Sequence, residues 1–372
     1  MKDQHHLTTP RRFLLVGCSG FIGSHLLERL LKDVGLEVVG FDLEAGKIEH
    51  LLGHDNFTLH RKSIDEAVAD GSMQEAVAWA DVVVNLAAIC NPYEYAIRPS
   101  AVIKSSLFDA LPIVDLCCEL NTWLIQFSTC EVYGRTVSSY VPEEGYSDPD
   151  LYVQSESRTP LVMGPVSKQR WCYASAKQTL ERYVYALGFE RQMPFTIIRP
   201  YNFFGPRMDF IPGRDGTGIP RVLACFITAL LDDEPLLLVD GGTARRTITS
   251  IHDAIDAMMA MFDRPHAATG QIFNIGADGN ELTISELAHR MREIYADVSC
   301  DPRKRNLPIL NVTGEEFYGK GGYEDCDRRV IDSTNATSLL GWSAKIGIDE
   351  ILRETISYYY EIYADKTAVA TR

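Results

Sequence analysis

The 372-residue sequence predicts an α/β protein: a doubly wound parallel sheet with a smaller α/β lobe after it. Three observations predict it. Short apolar runs of strand length alternate with stretches of helical periodicity from Arg12 to Arg199. A glycine-rich turn, Gly17 to Gly23, joins the first run to the first helix. Runs such as Asp81 to Leu86 carry a continuous apolar centre, Val82-Val83-Val84, as parallel strands covered on both faces require. The chain is also longer than one compact core needs, which argues for a second lobe.

Taken in order, Arg12 to Val16 is a strand, and Phe21 to Lys32 has helical spacing. Between them the glycines fall at 17, 20 and 23, so small residues let backbone amides approach a pyrophosphate at the positive end of the helix. Strand, turn and helix in that order make Gly17, Gly20, Phe21, Ile22 and Gly23 the candidate dinucleotide turn of a Rossmann-type lobe. The next strand, Glu37 to Phe41, ends in Asp42, nineteen residues beyond Gly23. A carboxylate there accepts hydrogen bonds from ribose hydroxyls and repels a 2′-phosphate, which favours NAD over NADP. A third strand, Phe57 to His60, is followed by Asp65, and the fourth runs through Leu86 into Ala87-Ala88-Ile89-Cys90. A helix from Ser100 to Leu120 and a strand from Trp123 to Phe127 complete another step.

Ser139 to Gln169, rich in Pro, Ser and Glu, breaks the rhythm and reads as a loop over the site. The helix Trp171 to Arg191 and the strand Phe195 to Arg199 follow. Beyond Pro200 comes a Gly/Pro/Asp-rich loop to Pro220, then a helix to Leu231. Residues 11–200 are expected to form the cofactor lobe, rejoined within 244–276 by Arg246 to Ile251 and Gln271 to Ile275. The remainder of 201–365 is expected to build the second lobe, with 366–372 a disordered tail.

Composition narrows the function. With 46% apolar and 23% charged residues the chain reads as an ordinary globular protein. No apolar run approaches bilayer length, so no membrane partner and a cytoplasmic location are expected. Nine cysteines without a C-x-x-C pair read as free thiols, and scattered histidines without H-E-x-x-H give no metal site. A formal charge of −15 argues against nucleic acid as a partner. Arginines nevertheless gather in the second half, where a local basic pocket could receive a small anion.

Chemistry points to Trp171 to Gln178. Tyr173 and Lys177 stand four apart, on one helical face. An ammonium beside a phenol stabilises phenolate and lowers a pKa ordinarily near about 10, which suits a general base. The glycine turn, Ser128 to Gly134 and this Tyr-x-x-x-Lys together resemble the extended short-chain dehydrogenase/reductase superfamily. That resemblance implies NAD as cofactor, Tyr173 as base, Lys177 on the nicotinamide ribose and Thr129 bonded to the reacting oxygen. It also implies that Asp65 touches the adenine, that Leu86 lines the cofactor site, and that Asn202 holds a sugar diphosphate. Arg207, Arg221, Arg246 and Tyr318 complete the implied substrate site. The superfamily further implies a homodimer through the helices Ser100 to Leu120 and Trp171 to Arg191. Leu107, Leu111, Val114, Leu180 and Val184 are candidates for either core or interface.

Longer stretches carry a narrower resemblance. Asn85 to Cys90, Phe127 to Gly134, Arg170 to Tyr173, Gly205 to Gly213 and Pro220 to Phe226 are similar to the plant-type UDP-apiose/UDP-xylose synthase family. Coverage runs from Arg12 to Tyr363. The chain is less closely similar to the UDP-glucuronate decarboxylase domain of the lipid A aminoarabinose pathway. Both imply UDP-glucuronate as substrate. They imply that Glu131 assists proton transfer and that Arg329 meets the carboxylate, with Arg328 one residue away as the competing assignment. Cysteines matching Cys90 and Cys130 accompany apiose formation, and such thiols could move protons at the C2 hydroxyl. A decarboxylase yielding only UDP-xylose or the 4-keto-pentose, and a UDP-glucuronate 4-epimerase, remain the alternatives.

Overall fold

A computed structural model describes residues 8–141, 147–318, 326 and 328–364. Its centre is a seven-stranded parallel sheet. The strands are β1 (Arg12–Val16), β2 (Glu37–Asp42), β3 (Phe57–Arg61), β4 (Val82–Asn85), β5 (Trp123–Phe127), β6 (Phe195–Pro200) and β7 (Gln271–Ile275). Their spatial order is β7-β6-β5-β4-β1-β2-β3. β1 has β2 on one side and β4 on the other, with Val16 opposite both Phe41 and Asn85. That is the point where the winding reverses, and the crevice beyond its carboxyl ends is where such sheets take ligands. Gly17, Asp42 and Leu86 each follow directly from this register.

Helices cover both faces. On one side α1 (Phe21–Leu30) buries Leu26, Leu27 and Leu30 against Val82, Val84 and Ile125. On the other, α2 (Leu111–Leu120) and α3 (Cys172–Arg191) bury Ile113, Val114, Leu180 and Val184 against Leu14, Val83 and Leu124. Each such aliphatic side chain contributes about 1.5–3 kcal/mol on leaving water. Val114, Leu180 and Val184 are fully buried here, so they belong to the core; Leu107 and Leu111 are half-buried at its edge.

The second lobe gathers α4 (Val222–Asp232), α6 (Ile284–Val298) and α7 (Ile348–Tyr363) around Phe226, Leu230, Met291 and Ile356. A further helix, α5 (Ile251–Asp263), packs Met258, Met261 and Phe262 into the cofactor lobe. Among the described residues no helix is long and apolar enough to cross a membrane.

Two expectations are corrected, and a third is given its detail. The helix foreseen from Ser100 to Leu120 is broken into Pro99–Ile103, a widened turn at Lys104–Phe108, and α2. Pro112 explains the break, because its ring nitrogen donates no hydrogen bond and is tolerated only in a first turn. Of the segments expected to rejoin the cofactor lobe, Gln271–Ile275 is a strand of the main sheet, while Arg246 to Ile251 lies beside it: Arg245–Thr247 pairs antiparallel with Glu281–Thr283, Thr249–Ser250 pairs with Phe203–Phe204, and Ile251 packs in that lobe's core. Within the expected loop 139–169, Val153–Gln154 pairs with Val330–Ile331, and Gln154 is fully buried. The tail foreseen at 366–372 lies outside the described residues.

Candidate active site

The first cavity is a cleft of about 1090 Å³ beyond the ends of β1, β2 and β4. Gly17 has φ +87°, and a Cβ there would stand 3.0 Å from the Ala87 nitrogen. A Cβ on Gly23 would meet the Gly17 carbonyl oxygen at 2.3 Å, so the turn closes only without one. Asp42 ties the turn to β2 by accepting a hydrogen bond from the Ser19 amide at 2.8 Å. Gly17, Gly20, Asp42, Asp65 and Leu86 all line the cleft. Phe21 and Ile22 instead pack against the core beneath it, and Asp65 is paired with Lys104 at 3.1 Å.

This cleft fits a dinucleotide on its own evidence. Ser19 Oγ, in the wall of this cleft, is buried with no hydrogen-bond partner among the described residues. Lys47, a lining residue that sequence reasoning missed, makes no ion pair among the described residues, and burial pushes its pKa down. Buried or unpaired groups of this kind call for an anionic, hydrogen-bonding ligand. Arg207 also faces this cleft, in a bidentate pair with Glu28, rather than lining the second cavity as expected of a substrate residue.

Helix α3 presents its inward stripe, Tyr173, Ala174, Lys177, Leu180, Glu181 and Val184, to the sheet. Tyr173 packs beside Ala88 and Ile89 of the cleft wall and stacks on Tyr95, with centroids 5.2 Å apart and planes 14° apart. Lys177 Nζ donates to the Phe127 carbonyl oxygen at 3.0 Å and lies 6.0 Å from the Tyr173 ring centre. The Thr129 hydroxyl oxygen accepts from the Glu131 amide at 3.1 Å, which leaves its proton free to donate. Burial lowers the Lys177 ammonium to about 8. Burial also raises the Tyr173 phenol well above its usual value, with Cys90, Glu131 and Cys130 adding and Arg221 opposing. Lys177 therefore does not produce the expected lowering of Tyr173: desolvation is the largest influence, and the cation that opposes it is Arg221.

A second cavity of about 390 Å³ lies between the lobes and is lined by Glu131, Asn202, Arg221, Arg246 and Arg329. Asn202, at φ +41°, donates from its amide to the Thr247 carbonyl oxygen at 2.8 Å. Arg221 is aimed by Asp209, whose Oδ2 accepts from both its backbone nitrogen and its Nε. Arg329, 3% exposed, stands 3.8 Å from Glu131. Arg328 turns away to a bidentate pair with Glu281 and lies over the Tyr152 ring, so of the two neighbours it is Arg329 that faces the cavity. Tyr318 ends the short helix Gly314–Tyr318; its side chain lies outside the described residues, and Phe317 beside it lines the cavity.

Two further lining residues escaped the sequence. Arg170 grips Glu131 at 2.6 and 2.7 Å, and its guanidinium lies 5.5 Å from the Tyr95 ring that stacks on Tyr173. Cys326 is the other. The Arg-Trp-Cys-Tyr run that leads into α3 was the only signal for Arg170. The two predicted thiols differ. Cys90 is exposed, whereas Cys130 is buried with Val132, Tyr133, Tyr201 and Ile331. Burial raises the Cys130 pKa against an opposing Arg329, so Cys130 is held as thiol, which of the two roles foreseen for it suits proton delivery more than proton removal.

Comparison with known proteins shows similarity in sequence and in fold. UDP-D-apiose/UDP-D-xylose synthase 1 of Arabidopsis thaliana is 45% identical over 372 residues, covering 97% of this chain and 94% of that protein. UDP-D-apiose/UDP-D-xylose synthase of Oryza sativa subsp. japonica is 44% identical, covering 96% and 91%. Among solved structures, the PbgP3 protein from Burkholderia pseudomallei superposes with a TM-score of 0.80 at 28% identity, covering 95% of this chain and 98% of that one. UDP-glucuronic acid 4-epimerase from Bacillus cereus, in complex with UDP-glucuronic acid and NAD, shares the fold at a TM-score of 0.74 and 22% identity, covering 95% and 100%. The family model for NAD dependent epimerases and dehydratases matches residues 13–276, and the chain belongs to the NAD dependent epimerase/dehydratase family.

Proposed function

We propose that this protein converts UDP-glucuronate into UDP-apiose and UDP-xylose through a 4-keto intermediate, using NAD that is regenerated in each cycle. The observation that carries the reading is the second cavity. Arg221, Arg246 and Arg329 converge there in a chain of net charge −15, next to a Tyr-x-x-x-Lys helix, in a sequence 45% identical to a synthase of that name. Arginines suit a diphosphate and a carboxylate because the guanidinium forms paired hydrogen bonds to both.

The chemistry follows from the substrate. NAD held in the cleft of Gly17, Gly20 and Asp42 would supply the hydride acceptance and return that oxidation at C4 needs. Tyr173 receives the C4 hydroxyl proton, Thr129 donates to the same oxygen, and the buried Lys177 holds the ribose side of the site. A C4 ketone is β to the C6 carboxylate, so CO₂ leaves with its electron pair delocalised as an enolate. Arg329 orients the carboxylate beforehand, and Glu131, held by Arg170, serves proton transfer at C5. The same ketone is β to the C2 hydroxyl, so the C2–C3 bond breaks by retro-aldol chemistry. A new bond joins C2 to C4, C3 emerges as an aldehyde, and its reduction gives the branched apiose. Cys130 delivers a proton in this rearrangement, with Cys90 at the exposed side of the site. Without the rearrangement, reduction at C4 yields UDP-xylose.

Exposed aromatics support a homodimer through the same helices: Phe108, Tyr185 and Phe189 are 57%, 54% and 78% exposed on one side of the cofactor lobe's helical layer. The free thiols fit a reducing, cytoplasmic setting. The decisive experiment is product analysis by NMR after incubation with UDP-glucuronate and catalytic NAD. Both pentoses, with CO₂ and no accumulated NADH, are expected. UDP-xylose alone would replace this reading with a decarboxylase, and UDP-galacturonate with retained carboxylate would replace it with a 4-epimerase.

A further inference from the structure

The segment from Gly205 to Arg221 passes both cavities. Arg207 and Asp209 line the cofactor cleft, and Arg221 lines the sugar-nucleotide cavity. Near its start, Arg207 reaches across to α1 of the cofactor lobe. Its Nη1 and Nη2 donate to the two Glu28 carboxylate oxygens at 2.6 and 2.9 Å, and His50 Nε2 lies 2.7 Å from the same carboxylate. The two side chains are 16% and 29% exposed, enough shielding to give a bidentate pair more strength than a fully solvated one. Arg207 holds φ +63°, a left-handed conformation that a residue with a side chain keeps only when its contacts demand it.

The far end of the segment is bound to the near end. Asp209 Oδ2 accepts from the Arg221 backbone nitrogen at 2.9 Å and from its Nε at 3.0 Å. The Asp209 backbone is clamped to α7, with Tyr359 Oη donating to its carbonyl oxygen at 2.7 Å and accepting from its amide at 2.8 Å. Tyr359 itself lines the cofactor cleft.

We infer that Gly205–Arg221 is a strap across the cofactor cleft, latched by Arg207 on Glu28, through which a nucleotide diphosphate on Arg221 tightens the hold on NAD. Arg207 and Glu28 are positioning residues in this scheme. An anion on Arg221 favours the arrangement in which Asp209 aims that guanidinium, and the same arrangement keeps Arg207 seated on α1. Reciprocity then requires that a ligand in either cavity slow the escape of the other. The inference rests on NAD occupying the larger cleft.

Release of NADH, followed by fluorescence during displacement with excess NAD, tests it on the whole protein. Arg207→Ala and Glu28→Ala should each speed release by about tenfold or more, the value of hydrogen bonds between charged groups. The double variant should release no faster than either single one, because one pair is lost in all three. Unlabelled UDP should slow release in the wild type and leave the variants unaffected. Arg207→Lys, which keeps the charge, should fall between, and answers the question if the alanine variant does not fold. Wild-type release rates in the variants, additive effects, or equal protection by UDP in all forms would overturn the strap. A wild type that binds no NADH would overturn the cofactor assignment as well, and the two failures are thereby distinguished.

Discussion

The two cavities are built by different means. The cofactor cleft is made largely of backbone: a glycine turn too tight for a Cβ at Gly23, and strand ends brought level by the β1 register. The sugar-nucleotide cavity is made of side chains from distant segments, and ion pairs aim them. Arg170 holds Glu131, Asp209 holds Arg221, and Glu281 draws Arg328 out of the way. A backbone-built site depends on local conformation, whereas a side-chain-built site depends on which partners tertiary packing supplies. Changes to the second should therefore alter chemistry and stability together, and changes to the first should act through cofactor affinity.

Tyr173, set between the two, offers the largest test. Tyr173→Phe keeps the stack on Tyr95 but removes the proposed proton acceptor, and turnover of UDP-glucuronate should fall by about 10²–10⁴-fold. NADH titration should remain close to wild type; a parallel loss of NADH affinity would dissolve the distinction between the sites. Next in size is Arg170→Ala, which leaves the Glu131 carboxylate, 14% exposed, with Arg329 at 3.8 Å. Removing one partner of a buried pair costs about 3–5 kcal/mol, against about 1 kcal/mol for the more exposed Arg328→Ala pair with Glu281. Denaturant unfolding of both variants measures the contrast, and equal losses would show that burial does not govern these pairs.

Lys177 gives a pH test of comparable or smaller size. Burial lowers its pKa from 10.5 to about 8, so below about 8 the folded protein bears the full cost of the buried ammonium. Between those values the unfolded chain binds more protons than the folded one, and stability from this group rises with pH. Lys177→Met should therefore unfold at higher denaturant than wild type near neutrality, with the margin shrinking as pH rises past 8 towards 10.5. A margin that does not change with pH would mean Lys177 titrates as an exposed lysine does. The smallest effect is expected at Asp42. Asp42→Ala removes the acceptor for ribose and for the Ser19 amide, and should weaken NADH binding by about 1.5–3 kcal/mol while UDP affinity holds. Loss of UDP affinity of the same size in the NAD-free protein would show that the two cavities share more than the strap between them.

The cofactor lobe was legible because its signals are local. Strand, glycine turn and helix lie within one stretch of chain, Asp42 ends its strand, and Tyr173 and Lys177 share a helical face by spacing alone. Such features depend on backbone sterics and periodicity, which neighbouring residues determine between them. Four matters required the folded chain. Pro112 divides a helix that apolar periodicity drew as continuous. Arg207 turns to Glu28 at the cofactor cleft while Arg221, fourteen positions on, serves the other cavity. Of the adjacent Arg328 and Arg329 only the second faces the substrate side. Burial raises the Tyr173 phenol despite the lysine four residues away. In each, the outcome rests on where a side chain points and what surrounds it. Desolvation and ion pairing are sums over neighbours distant in sequence, and only packing brings those neighbours together.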